Sequence, residues 1–359
     1  MERLGNQALG LLLGGSESWW VGSRLADDEW RALFCLAQTN VITIRLYERL
    51  RALGVPVPHD PWAPAVGAEK ARIRSTIELI GRLTEICEAA PLDIVFTKSF
   101  QHFPDMGHDV DLFVMDRSRH VDGLLRERLG AAPGAGSLVH RLAGKLAYVV
   151  PGYSSPVEVH HGRLGLLGEH ATYPAMLVRR RQPLEVEGVR TWIPSREDQL
   201  IVQALQRIYA HLSLRLSDVL YTVSIIRLPG FDWDYVVATA RRIGIVDGLS
   251  CYLRYVEEVY RRSVGVPLES PDVRRLATAR WAGHPQFRGY LYGFPRGRVL
   301  ARVYAGKLLA DVAALNWRGV GKLVLLVGVA VLVGLRSLWR RAARLGPHGR
   351  IVPDAEGGA

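Results

Sequence analysis

The sequence predicts an α+β protein in which a small sheet domain lies between N-terminal helices and a C-terminal helical bundle. Apolar residues recur at helical spacing on both sides of a central stretch, where the apolar runs are short enough for strands. Prolines separate the first helices from one another and from that stretch. With 48% hydrophobic and 23% charged residues, the 359-residue chain has the composition of two folded domains, or of one domain with sizeable helical additions.

The N-terminal elements are helices. From Asp27 to Gly54 the apolar side chains follow helical spacing, and an aspartate can cap the first turn. Four prolines between residues 56 and 64 end this helix, and a second helix is predicted from about Glu69 to Ala89. We therefore assign residues 1–90 to an N-terminal helical segment.

The periodicity changes after Pro91. Short apolar runs predict strands, and a helix is predicted among them over about residues 119–129. The predicted strands are residues 92–97, 109–115, 145–150 and 156–160. This mixture indicates a small sheet domain, which we place at residues 91–194.

The chain becomes helical again after Pro194. Ser195 can cap a helix, with Asp198 at the capping-box position. Further helices are predicted at residues 212–226, 232–243 and 247–263. We assign residues 195–316 to a C-terminal helical domain, residues 317–345 to a hydrophobic and basic helix, and residues 346–359 to a flexible tail.

The run from Leu323 to Leu335 is a candidate membrane anchor because it is uncharged for 13 residues. Crossing a bilayer takes about 20 apolar residues. Lys322 and Arg336 could extend the apolar length by snorkelling, and a tryptophan flanks each side. Two interpretations stay open: a membrane span or in-plane anchor at the cytoplasmic face, and a buried core or oligomer helix.

Charge and cysteine content narrow the class of protein. A net charge of +11 favours anionic partners such as nucleotides, nucleic acid or an anionic membrane surface, although an arginine-rich composition without functional meaning gives the same balance. The three cysteines form no CxxC or Cys/His cluster, so neither a disulfide framework nor a zinc finger is indicated. These features, and an N-terminus without a signal peptide, predict a cytoplasmic protein.

The most informative motif is Asp109-Val110-Asp111 at the start of an apolar strand. Side chains alternate along a strand, so the two carboxylates lie on the same side. Neighbouring carboxylates repel each other and are stable together mainly around a divalent cation, for which hard oxygen ligands favour Mg²⁺ or Mn²⁺. The motif by itself is weak, since a solvated strand end has the same pattern.

Residues before and after this motif strengthen it. Lys98-Ser99 ends the preceding strand, where backbone N–H groups and a hydroxyl can reach phosphate oxygens. A later strand presents Glu158 and His160 on one face, so Glu158 supplies the third carboxylate that two-metal catalysis needs. His160 can orient Glu158 or contact phosphate; the alternative is a partly buried histidine bonded to the backbone.

The order Lys98-Ser99, nine residues, then Asp109-Val110-Asp111-Leu112 resembles the polymerase-β-like nucleotidyltransferases. With Glu158-Val159-His160, the chain is similar to an uncharacterised bacterial family of that superfamily, over roughly residues 36–227. The family pattern has a glycine where this chain has Ser99.

This resemblance implies a polymerase-β-like sheet domain that moves a nucleoside monophosphate from an NTP to a hydroxyl. Mg²⁺ or Mn²⁺ would be held by Asp109, Asp111 and Glu158, and Glu158 would also help to activate the hydroxyl. The nucleotide would be contacted by Lys98, Ser99 and His160. A protein side chain, an RNA end or a small molecule could each be the acceptor.

Other functions compete with this one. A glycosyltransferase also uses Asp-x-Asp to bind Mn²⁺ and a nucleotide sugar, but a longer α/β region usually precedes the motif, where this chain is predicted to be helical. An inactive module that binds nucleotide or a partner is the other alternative, against which stands the retention of three mutually repelling acids. We interpret His211 with Asp218 as a structural polar pair and Arg179–Arg181 as a solvated helix end.

Overall fold

The computed structural model describes residues 1–325 and 328, apart from residues 16, 23, 117, 135–142, 166–169 and 171. The predicted mixture of helices and a small sheet is confirmed. The α-helices before the sheet are α1 (Glu2–Leu12), α2 (Glu17–Gly22), α3 (Asp27–Thr39), α4 (Thr43–Ala52) and α5 (Trp62–Ala89). The later ones are α6 (His120–Leu129), α7 (Pro174–Arg179), α8 (Arg196–Ala204), α9 (Leu216–Ile226), α10 (Trp233–Arg242), α11 (Val246–Val264), α12 (Pro271–Leu276) and α13 (Arg296–Ala313).

The strands form three sheets within the described residues. The largest has the order β1-β2-β5-β4-β3, a second contains β8, β10 and β9, and the third is the hairpin β6–β7. Their bounds are β1 (Ile94–Phe96), β2 (Val110–Val114), β3 (Ala132–Pro133), β4 (Lys145–Val149), β5 (Val157–His161), β6 (Gln182–Val186), β7 (Val189–Ile193), β8 (Ser213–Leu214), β9 (Gln286–Arg288) and β10 (Leu291–Gly293). Each of the four predicted strands is found, and every strand end lies within two residues of its predicted position.

The register of the five-stranded sheet places the polar residues. Strands β2 and β5 are parallel, with Asp111 opposite Glu158. Strand β4 runs antiparallel to β5, with Lys145 opposite His160. Side chains of paired residues lie on the same face of a sheet, so these four side chains are neighbours on one face.

The other face of the sheet is mainly apolar, with His161 as a polar residue at its end. Val110, Leu112 and Val159 pack there with buried residues of α5 and α6. On the polar face, Val95 and Phe113 belong to a larger core that includes the N-terminal helices and the helices after residue 173. Helix α1 packs against α11, so the first and last parts of the chain share this core. The sheet therefore separates two apolar clusters.

The helix predicted from Asp27 to Gly54 is wrong as a single element, because it is broken at Asn40. The Asn40 side-chain amide donates to the carbonyls of Leu36 (2.9 Å) and Tyr290 (2.8 Å). Its Oδ1 accepts from the N–H of Leu216 at 2.8 Å. The apolar periodicity continues through the break, whereas Tyr290 and Leu216, which bind the Asn40 side chain, lie far away along the chain.

Two further differences follow from backbone geometry. A π-helix (Leu205–His211) and strand β8 precede α9, so that helix begins four residues after its predicted start at 212. The hairpin β6–β7 was not predicted; Glu187 and Gly188 at its turn both have positive φ, 50° and 79°, as a two-residue hairpin requires. The predicted cap is confirmed, since Ser195 Oγ accepts from the N–H of Asp198 at 3.2 Å.

The candidate membrane anchor is only partly visible. Residues 317–325 are helical. Across the described residues, no helix has both the length and the hydropathy that a bilayer crossing needs. Most of the run to Leu335, the rest of the predicted helix to residue 345, and the tail at residues 346–359 lie outside the described residues, so the anchor and the tail stay predictions.

We expect Asn40→Ala to lower the free energy of unfolding by roughly 2–4 kcal/mol, because two buried backbone groups lose their partner. Urea denaturation followed by circular dichroism measures this change. Gln38→Ala, on the exposed side of α3, which ends just before Asn40, is the control and should change the stability by less than about 0.5 kcal/mol. Equal stability of the two variants would contradict the linking role of Asn40.

Candidate functional site

A cavity of about 390 Å³ lies between the polar face of the sheet and the helical segment that follows residue 200. Five of the six predicted site residues line it: Lys98, Asp109, Asp111, Glu158 and His160. A volume of this order suits a small-molecule ligand.

Asp111, Glu158 and His160 form the centre of the cavity wall. His160 Nε2 lies 3.1 Å from Asp111 Oδ1 and 2.8 Å from Glu158 Oε1. One ligand atom from each of the three residues lies within 4.8 Å of the others. The parallel pairing of β2 and β5 produces this cluster, because it sets the two carboxylates side by side.

Each carboxylate of the cluster also has a lysine partner. Lys98 Nζ lies 2.6 Å from Asp111 Oδ1, and Lys145 Nζ lies 2.8 Å from Glu158 Oε1. Sequence reasoning missed Lys145, although it begins a strand that was predicted. Its role depends on the pairing of β4 with β5, which local periodicity does not specify.

The lysines and His160 decide the ionisation of the two acids. Burial alone would raise the pKa of Asp111, but Lys98 and His160 outweigh it and lower that pKa to about 2. Burial is likewise outweighed at Glu158, whose pKa is lowered by His160 and Lys145. Both side chains are therefore carboxylates at neutral pH. Acids with lowered pKa values are suited to hold cations and are weak proton acceptors.

Asp109 occupies a different position from Asp111. It precedes β2, is exposed, and lines the cavity outside the three-residue cluster. The charge of the nearby Asp111 is the largest of the causes that raise the pKa of Asp109. The two aspartates of the motif therefore have different environments, one inside an ion-pair network and one at the edge of the cavity.

Ser99 lies behind the cavity wall. It is buried, and its Oγ accepts from the N–H of Asp111 at 3.3 Å. This hydrogen bond fastens the end of β1 to the start of β2. Because Ser99 is buried behind the wall, its position does not support the predicted contact with phosphate.

The loop between β1 and β2 is held from behind by α5. Arg72 donates to the carbonyls of Met106 and Gly107, both at 2.9 Å, and to Ser155 Oγ at 3.3 Å. These bonds fix the segment that leads directly into Asp109. Such support from outside a site keeps its side chains in place.

The side chains of the cluster fit a divalent cation. Carboxylates suit Mg²⁺, Ca²⁺ and Mn²⁺, and an imidazole widens the choice to other transition metals. A cation bound by Asp111, Glu158 and His160 would share both carboxylates with Lys98 and Lys145.

The helical side of the cavity carries a second ion-pair network. Asp218 Oδ2 lies 2.8 Å from Arg207 Nε, and Asp218 Oδ1 lies 3.4 Å from His102 Nε2. Burial opposes ionisation of Asp218, but Arg207 and His102 lower its pKa to about 2. The predicted pairing of Asp218 with His211 is therefore wrong, because His211 lines the cavity instead.

The arginine run 179–181 lies away from the cavity. Arg180 Nη2 lies 2.9 Å from Glu197 Oε2, and the guanidinium stacks on the ring of Tyr235. Arg181 pairs with Asp93 at 2.6 Å. These contacts make Arg180 and Arg181 structural at the end of α7.

Comparison with known proteins finds the kind of family that the motif predicts. A family described as "Uncharacterised nucleotidyltransferase" matches residues 26–261. The chain is also similar to the crystal structure of an antigenic nucleotidyltransferase-like protein from Paracoccidioides brasiliensis, with 14% identity and a TM-score of 0.33, over 50% of this chain and 93% of that one. A likeness at this TM-score is too weak to assign a fold. No curated protein matches the chain.

We expect Asp218→Asn to lower the free energy of unfolding at pH 6 by roughly 3 kcal/mol, since it leaves Arg207 buried without its carboxylate. Because folding lowers the pKa of Asp218, the ionised carboxylate stabilises the folded wild type, and this contribution is complete above about pH 4, the pKa of an unperturbed aspartate. That stability is lost as the pH falls towards the folded-state pKa of about 2.

The difference between wild type and Asp218→Asn should therefore shrink as the pH falls from 6 to 2. Urea denaturation at several pH values measures it. Asp234→Asn, on the exposed side of α10, is the control and should differ little from wild type throughout. A difference that stays constant with pH would show that the Asp218 carboxylate does not supply this stability.

Proposed function

The chain belongs to the family of uncharacterised nucleotidyltransferases, and from this premise we propose that it transfers a nucleoside monophosphate from an NTP to a hydroxyl acceptor. One observation carries the proposal: Asp111 and Glu158 lie in register on adjacent parallel strands, facing a cavity with His160 beside them. We further propose a polymerase-β-like arrangement for the sheet domain at residues 91–194, with residues 195–316 as a helical domain.

Asp111, Glu158 and His160 would hold the cation, Mg²⁺ or Mn²⁺, and Asp109 would add an oxygen from the edge of the cavity. A bound cation would neutralise phosphate charge and polarise the phosphorus. The lowered pKa values of Asp111 and Glu158 support this assignment, because both side chains are ionised before any cation arrives.

Lys98 and Lys145 bring positive charge to the same wall. Their ammonium groups would bind phosphate oxygens of the NTP and hold the α-phosphorus towards the acceptor. The acceptor oxygen forms a bond to that phosphorus, and the bond from phosphorus to the bridging oxygen breaks. Pyrophosphate leaves with the electron pair, and the hydroxyl proton passes to Asp109, the carboxylate at the edge of the cavity whose pKa is raised. The helical side of the cavity would exclude water, which otherwise competes as the acceptor.

A second candidate function is a module that binds nucleotide without transferring it. The observation that favours it is the pairing of each acid of the cluster with its own lysine. Because this pairing removes much of the repulsion between Asp111 and Glu158, the acids are stable without a cation. The presence of these acids therefore does not distinguish a transferase from a binding module. An activity measurement distinguishes them.

We expect the wild type, with Mg²⁺ or Mn²⁺, to transfer label from one α-³²P-labelled NTP to an acceptor in a cell lysate. Asp111→Asn and Glu158→Gln should each reduce transfer by about 100-fold or more, because each removes a carboxylate of the proposed cation site. Asp234→Asn makes the same chemical change on an exposed helix and should transfer normally. Nucleotide binding by the wild type without transfer of any of the four labels would favour the binding module.

Binding of Mn²⁺ tests the site without relying on activity. We expect Asp111→Asn and His160→Ala each to weaken Mn²⁺ affinity by roughly 10-fold or more, since each removes a ligand atom of the cluster. Electron paramagnetic resonance of free Mn²⁺ gives the affinity directly. Asp109→Asn should weaken it less, because Asp109 lies outside the cluster. Unchanged affinity in Asp111→Asn would rule out the proposed cation site.

A further inference from the structure

The helical wall of the cavity, opposite the carboxylate cluster, carries basic residues. The π-helix turns Arg207 and His211, four positions apart, towards the cavity, and Arg215 joins them from the residue before α9. A π-helix is rare and occurs often at functional sites. We name Arg207, His211 and Arg215 the basic wall.

Positive charge on the basic wall exceeds the negative charge beside it. Arg207 pairs with Asp218, whose Oδ2 also accepts the backbone N–H of Arg215 at 2.7 Å. No described carboxylate forms an ion pair with the Arg215 guanidinium, and Asp218 and Asp109 act on it only at longer range. One carboxylate thus stands beside two guanidinium groups.

The same cations act on His211. Burial lowers the pKa of His211 to about 4, and Arg207, Lys98 and Arg215 act in the same direction. His211 is therefore neutral at pH 7, and Arg207, Lys98 and Arg215 each act against a further positive charge at its position. Several cations that act on one position in a cavity favour an anion there.

We propose that the basic wall binds the phosphate chain of the nucleotide, with Arg215 as the main contact; this inference rests on the proposed function. A guanidinium presents a planar fork of N–H donors that matches phosphate oxygens. Arg207 is already held by Asp218, so Asp218 and His102 are positioning residues for this wall.

The geometry favours the nucleotide over a phosphate of the acceptor. The basic wall and the carboxylate cluster line the same cavity of about 390 Å³, so an anion held between them is within reach of both. The transferring phosphorus has to lie at the cluster, and the rest of its phosphate chain needs cations on the remaining side of the cavity. The basic wall supplies those cations.

Isothermal titration calorimetry with inorganic tripolyphosphate, in EDTA, tests this inference without a base, a metal or an acceptor. We expect Arg215→Ala to weaken tripolyphosphate binding by roughly 10-fold or more, and Arg215→Lys to weaken it less. Arg242→Ala removes the same charge from the exposed end of α10 and should bind as the wild type does.

A short RNA with a 5′-hydroxyl, used as a second probe, distinguishes the source of the phosphate. The inference predicts that Arg215→Ala binds this RNA as well as the wild type does. It is overturned if Arg215→Ala binds tripolyphosphate normally, if the wild type binds no tripolyphosphate, or if only RNA binding falls.

Failure of this inference can be told from failure of the proposed function. If tripolyphosphate binding depends on Arg215 but the wild type transfers no label, the basic wall is supported as a phosphate site and the proposed transferase activity is ruled out. If the wild type transfers label and Arg215→Ala has an unchanged KM for NTP, the proposed activity is supported and the basic wall is ruled out as a phosphate site.

Discussion

The parallel pairing of β2 with β5 is the constraint on which the rest of the site depends. It places Asp111 directly opposite Glu158, and two carboxylates so close together in a partly buried site repel each other. Lys98, Lys145 and His160 compensate this repulsion by direct contacts. The cluster is stable because each acid has its own cationic partner, and both acids remain ionised and face the cavity.

The architecture around the cluster keeps this charged face in place. The opposite face of the sheet is packed against α5 and α6 mainly by apolar residues, and His161 contacts Asp122 of α6 there. Reversing the two faces of the sheet would expose these apolar residues to water. Arg72 on α5 holds the loop that leads into the motif. The helices after residue 195 form the other side of the cavity, where Arg207 is fixed by Asp218. Rigid elements therefore support both walls.

The sequence predicted the class of fold and each strand that carries the carboxylate motif, because apolar alternation and turn residues are local signals. It did not predict the break at Asn40, whose partners Tyr290 and Leu216 lie far along the chain. It also missed the hairpin β6–β7, since the turn requires positive φ at Glu187, where a non-glycine residue is uncommon.

The sequence by itself determined the family and the residues that a short motif specifies, including Asp111, Glu158 and His160. Alternation along each strand was enough to put each strand's polar side chains on one face. Only the tertiary structure decided that Lys145 and Arg215 share the cavity with them, and that Ser99 lies behind its wall. The physical reason is that strand pairing and helix packing bring together residues whose separation along the chain leaves no local pattern.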